Sequence, residues 1–133
     1  MVDEVNPFEA AENEAPPAAP QPQLYYPNVA VFIEEFLVHV WPRYTDNATR
    51  LWCPQWWSHA EATVRLNALW RSWEAARLDP ANGMAVWLRD LLDPTMNALT
   101  APEGCFRGCS IEGGHHPQAK DLVVVAPPPG YFE

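Results

Sequence analysis

Lysine is almost missing from this chain: Lys120 is the only one among eight basic residues. Seventeen acids bring the formal net charge to -9. A groove that tracks a phosphate backbone needs clustered Lys and Arg, so this balance disfavours nucleic acid as the partner. No apolar run approaches the ~18 residues that a bilayer span takes, so no membrane partner is expected. The start of the chain is acidic and proline-rich, the opposite of a secretory signal, and the expectation is a soluble cytoplasmic protein. Three cysteines, an odd number, do not make a disulfide framework. Reduced thiols or metal ligands fit that compartment better. Phosphate-binding glycine loops, H-E-x-x-H and G-x-S-x-G are also missing, which argues against an enzyme.

What the chain does have is tryptophan and proline, seven and fifteen residues respectively. Five of the tryptophans fall within residues 51–77, LWCPQWWSHAEATVRLNALWRSWEAAR, the stretch around which the rest is organised. Residues 1–27 hold five acids and no base, mixed with Pro, Ala and Gln. Such a segment buries too little apolar surface to offset its ordering entropy. It reads as a disordered acidic tail with polyproline II character around residues 16–22, its end anchored by Leu24, Tyr25 and Tyr26. Residues 28–133 then form a single domain.

Asn28 can cap a first helix, in which Val29, Phe32, Ile33, Phe36, Leu37 and Val40 recur at helical spacing until Pro42. Asp46-Asn47 is a turn signal between short segments that can pair as a small hairpin. Ser58 and Glu61 have the spacing of a capping box. Ala62, Leu66, Leu69, Trp70, Trp73 and Ala76 make the inward stripe of the helix that follows. Glu61–Arg65 and Glu74–Arg77 pair on its wet side. After Asn82-Gly83, a third helix turns Met84, Trp87, Leu88 and Leu91 inward. Asp93-Pro94 either kinks it or opens a short fourth helix with Met96 and Leu99. Residues 101–120 are glycine-rich loop. Residues 122–125 read as a short strand or an extended segment laid on the body, and Pro127-Pro128-Pro129 fixes an extended exit before Tyr131 and Phe132, which can dock. The fold expected is therefore mainly α: a small bundle of three principal helices plus a short fourth, with an extended C-terminal segment and room for a small β-hairpin.

Two groups of residues carry chemistry. Cys53, Cys105, Cys109 and His115 have metal-ligand character. Cys105-x3-Cys109 has the short spacing of a structural zinc site, and thiolate with imidazole is the ligand set zinc prefers. His115-His116 is an awkward second pair, because adjacent side chains do not converge, so Cys53 or His59 has to supply a remote ligand. The competing reading is buried free thiols beside exposed histidines. Cys109 with His115 can also be drawn as nucleophile and base, but any chain with this many Cys and His permits that drawing. The second group is Trp52, Trp56, Trp57 and Arg50. Three indoles on one turn cannot all point inward, and an exposed tryptophan is a frequent hot spot of protein binding. Base stacking on these rings is the alternative, with Arg43, Arg50 and Arg65 as the only nearby cations.

The order and spacing of W-C-P-Q-W-W, R-L-N-A-L-W-R-S-W-E, G-M-A-V-W, L-L-D-P, G-C and the terminal P-P-P-G resemble an actinobacterial family of unknown function found in plasmids, integrative elements and phages. The resemblance spans about residues 29–132 and implies a small cytoplasmic protein of a mobile element with no assigned activity. Its pattern covers Cys53 and Cys109, with histidine commonly following the latter. Histidines frequent in the family are replaced here by Leu92 and Thr95, and Cys105 stands where proline is usual. The reading is a non-enzymatic interaction module that meets a host or element protein through a Trp-rich face. Alternatives are a nucleic-acid-associated accessory protein of transfer or replication, and an acidic decoy of a nucleic-acid-binding partner.

Overall fold

The computed structural model describes residues 23–133. The polyproline-rich part of the expected tail lies outside these described residues. Three helices make the body. Helix α1, residues 29–40, is continuous but built from α-helical Val29–Phe32, a π-helical turn at Ile33–Leu37 and α-helical Val38–Val40. Asn28 caps it, its side-chain oxygen accepting the Val31 N–H at 3.0 Å. Trp41 then leaves the helical region ahead of Pro42. Helix α2 is Ala60–Ala76. Helix α3, residues 83–100, joins α-helical Gly83–Trp87, a π-helical turn at Leu88–Leu92 and α-helical Asp93–Thr100. The short fourth helix of the sequence reading is thus the last part of α3. The wider π turn just ahead of Pro94 lets the helix pass the proline, which has no N–H to give.

The π turns also explain which side chains face inward. In α1, Phe32 and Leu37 are buried five residues apart, and Trp41 is buried where Val40 was expected. In α3, Trp87 and Leu92 are likewise five apart, so Leu88 and Leu91 are exposed. Each π turn inserts one residue and rotates the apolar stripe beyond it by about one position. Helix α2 has no such insertion. Ala62, Leu66, Leu69, Trp70 and Trp73 are buried on the 3.6-residue period. An aromatic cluster of Tyr26, Phe32, Phe36, Trp73 and Trp87 joins the three helices, with ring centroids 5.0 to 6.4 Å apart. The Trp87 indole N–H donates to Ser72 Oγ at 2.9 Å, tying α3 to α2 inside the core.

Glu74 does not sit on the wet side. It is buried, and its carboxylate accepts the backbone N–H groups of Tyr25 and Tyr26, the Trp70 indole N–H and Arg77 Nε at 2.8 to 3.1 Å. Burial pushes its carboxyl up, but these four donors outweigh that and hold it below the usual carboxylate range. Tyr26 is buried by this clasp, so the packed body begins before residue 28. Glu61 and Arg65 do form the exposed pair expected of them, at 2.9 Å.

Four local expectations are overturned. Ser58 caps nothing: Trp56–Ser58 is a 3-10 turn, and His59 occupies the N-cap in an extended conformation, with its side chain buried rather than capping. No hairpin forms among the described residues. Asp46 instead folds the segment on itself by accepting the backbone N–H groups of Ala48, Thr49 and Arg50, while Asn47 takes a φ of 61°. Residues 122–125 are neither a strand nor laid on the body, being between 83% and 97% exposed. Tyr131 and Phe132 pack on each other, 4.9 Å between centroids, and are exposed rather than docked.

Candidate functional site

The cysteines and histidines converge where the chain enters α2. Cys53 lies in the link from α1 and is fully buried ahead of Pro54. His59, at the N-cap of α2, points its ring inward, edge-on to Phe106 with centroids 4.9 Å apart. Cys109 and His115 come from the loop after α3, and that loop explains their meeting. Ser110 and Gly114 exchange two backbone hydrogen bonds, at 3.1 and 2.9 Å, across a tight antiparallel bridge. The next pair outward on such a ladder is Cys109 opposite His115, with side chains on the same face. His116, one residue on, points to the other face and is exposed. Gly114, at φ +83°, makes the turn accessible, and Gly108, at φ +92°, lets the chain fold back so that Gln118 N–H reaches the Arg107 carbonyl at 2.8 Å.

The outcome is four ligand atoms, one each from Cys53, His59, Cys109 and His115, all within 4.8 Å of one another. Cys53 Sγ lies 3.3 Å from His115 Nδ1, and Cys109 Sγ lies 3.6 Å from His59 Nε2 and 3.9 Å from His115 Nδ1. Such a cluster can hold a metal ion. Cys105 is not in it. The run of tight turns from residue 101 to 108 is not a helix, so positions 105 and 109 do not share a face. Cys105 is instead buried on its own, and His59 fills the place the sequence reading gave it. His59 Nε2 faces Cys109 Sγ at 3.6 Å.

Without a cation, Cys53 and Cys105 are poor nucleophiles. Burial, with Cys109 beside it, pushes Cys53 up to about 11; burial, with the charge of Glu61, does the same to Cys105. Burial and the neighbouring His115 push His59 down. Cys53 and Cys105 are therefore neutral thiols at pH 7, and His59 a neutral imidazole.

The tryptophans divide. Trp57 is 60% exposed. Trp56 is half-buried against the core. Trp52 meets Phe106 edge-on at 5.2 Å, and also lines a groove of about 260 Å³ with Leu37, Trp41, Arg43, Met96 and Ile111. Arg50 lies over the ring of buried Trp41, 5.0 Å from its centroid, and donates to Asn97 at 3.3 Å. Trp57 and Arg50 thus do not form one stacking platform: the guanidinium is engaged on another indole. The C-terminal arm, which holds the three most exposed large apolar side chains of the described residues (Leu122, Val123 and Val125), was not singled out from sequence as a binding element. Its signal was the β-branched run followed by three prolines. No helix among the described residues is long and apolar enough to cross a membrane.

No curated protein and no solved structure matches the chain. The chain does match a family over residues 26–129, which takes in all four converging side chains, and it belongs to that family, described as Domain of unknown function (DUF4913).

Proposed function

We propose that this protein is a non-enzymatic interaction module that binds a protein partner, with the C-terminal arm and Trp57 as its contact elements. The observation that carries the reading is the arm. Leu122, Val123, Val124 and Val125 are each at least 83% exposed, and Tyr131 and Phe132 are 70% and 83% exposed. Contiguous apolar surface of this kind is rare on a self-sufficient monomer and marks interaction sites. The end of the arm is also preorganised. Tyr131 N–H bonds the Pro128 carbonyl at 3.2 Å across a turn with Gly130 at φ +80°, so the aromatic pair is held without a partner. Ordering lost on binding is correspondingly small. An extended β-branched run suits addition to the edge of a partner's sheet. In this reading the Cys/His centre is structural, and the thiols do no chemistry. The motif resemblance supports a mobile element or phage of an actinobacterium as the source, and a host or element protein in the cytoplasm as the partner.

A nucleic-acid role has one observation in its favour: Arg43 and Arg50 both lie over Trp41, at 4.4 and 5.0 Å. That indole is only 7% exposed and offers no free face to a base, so the protein partner is the better reading.

The test is affinity capture from nuclease-treated host lysate, comparing the wild type with Trp57→Ala and with the double variant Val123→Asp, Val125→Asp. A specific protein lost from either folded variant supports the module. Recovery of every protein unchanged in both would remove the assignment. Capture seen only when the nuclease is omitted, and weakening steeply with salt, would favour the alternative.

A further inference from the structure

We infer that Cys53, His59, Cys109 and His115 form a closed structural zinc site, with Cys53 Sγ, His59 Nε2, Cys109 Sγ and His115 Nδ1 as its four ligand atoms. The argument is geometric. In a tetrahedron with Zn–S near 2.3 Å and Zn–N near 2.05 Å, a sulfur and a nitrogen stand about 3.6 Å apart. Three of the four sulfur–nitrogen separations are 3.3, 3.6 and 3.9 Å, which bracket that edge, and the fourth, Cys53 to His59, is within 4.8 Å. All four atoms fall within 4.8 Å, so a cation at their centre reaches each with small side-chain adjustments. A thiol–imidazole hydrogen-bond network needs donors and acceptors matched in pairs. It gives no reason for two sulfurs and two nitrogens to surround a common point.

The donor set selects the ion. Two thiolates with two imidazoles in a tetrahedral arrangement suit zinc, whereas magnesium and calcium take oxygen ligands in larger shells. Four protein ligands leave no position for water, which makes the site structural rather than catalytic. Three of the four residues are buried, and only His115 is half-buried. Supporting contacts are in place: His59 packs edge-on to Phe106, and His115 is set by the Ser110–Gly114 bridge.

The site ties together two segments that otherwise meet mainly through packing around Phe106. Cys53 and His59 belong to the approach to α2, while Cys109 and His115 belong to a loop whose own hydrogen bonds are mostly internal. Apart from side-chain packing of Cys105 and Phe106, the loop reaches the link between α1 and α2 through the Asn47–Glu112 hydrogen bond, 3.1 Å and exposed. The zinc site fastens that loop, and so fixes where the C-terminal arm leaves the body.

The full-length chain, purified without a polyhistidine tag or added metal, is expected to carry about one equivalent of zinc by elemental analysis. Replacement by cobalt(II) is expected to give the visible bands of tetrahedral cobalt with thiolate charge transfer in the near ultraviolet. His115→Ala, at the most accessible ligand, should keep the helical circular dichroism and lose zinc affinity by more than about 100-fold. Cys105→Ser should keep both zinc and the cobalt spectrum, because that thiol lies outside the site. Less than a tenth of an equivalent of any metal, or a Cys53–Cys109 disulfide in its place, would overturn the assignment. So would cobalt spectra that respond to Cys105→Ser and not to His115→Ala. Loss of partner capture alone leaves this result untouched, since metal content is read without the partner.

Discussion

The carboxylate of Glu74 accepts the backbone N–H of Tyr26 at 3.0 Å, and this contact fastens the start of the described chain to the last turn of α2. Three further donors share the same carboxylate. Glu74→Gln leaves at least one buried donor unmatched and is expected to cost about 1–3 kcal/mol in urea denaturation. The same site sets an acid limit. Its carboxyl is held low in the folded state, so its contribution is complete above the unfolded carboxylate value of about 4.3. It is lost as pH falls through the lower folded value. Wild type should therefore lose stability faster than Glu74→Gln below about pH 4.3, and parallel curves would remove the clasp from the account.

Ser72 links two helices rather than decorating one. Its hydroxyl donates to the Leu69 carbonyl at 2.7 Å while accepting the Trp87 indole N–H at 2.9 Å. Ser72→Ala leaves that indole with only a 3.4 Å approach to Leu69. A loss of about 1–2 kcal/mol is expected, with tryptophan fluorescence and urea unfolding as the readouts. A neutral substitution would mean that the α2–α3 contact rests on packing alone.

Gly83 opens α3 where no side chain fits. A Cβ there would lie 2.0 Å from the Ala76 carbonyl oxygen and 3.1 Å from the Asp79 Cβ. Backbone cannot step aside cheaply, so Gly83→Ala is expected to destabilise by about 1–3 kcal/mol although alanine is the better helix former. A stabilised variant would show that the turn between α2 and α3 is looser than described.

Trp57 separates binding from stability. At 60% exposure, Trp57→Ala should shift unfolding by less than about 0.5 kcal/mol while reducing partner capture. Trp73→Ala, inside the aromatic cluster, should cost about 3–5 kcal/mol. Similar melting losses for the two would place Trp57 in the core.

The helical class was legible because α2 obeys a single period from Ala62 to Trp73, and Asn28 and Pro42 punctuate α1 at its ends. The inward faces of α1 and α3 were not fully legible. A π turn shifts burial from Val40 to Trp41 and from Leu91 to Leu92; no residue type announces the first insertion, and Pro94 announces only a kink or break beside the second. Glu74 read as a surface charge because two of its four donors are backbone groups about fifty residues upstream, which composition does not record. At the Cys/His centre, Cys53, Cys109 and His115 were legible as residue types. The part taken by His59 was less so, because Ser58 offered a better cap and drew the helix start one residue early. Adjacent histidines seemed unable to converge. The Ser110–Gly114 bridge resolves this by turning only His115 toward Cys109. The exposure of residues 122–125 was hidden for a different reason: a β-branched run has the same sequence whether it is covered or bare.

The central claim is that the Cys/His centre fastens the loop after α3 to the helical body and leaves the C-terminal arm free. Hydrogen–deuterium exchange on the full chain, with and without a strong chelator, tests it most directly. The account predicts slow exchange at Cys109, Ser110, Gly114 and Gln118 that becomes fast with chelator, while α2 stays protected and residues 122–126 exchange fast in both conditions. Exchange at those four loop amides that ignores the chelator, or protection along the arm, would contradict it.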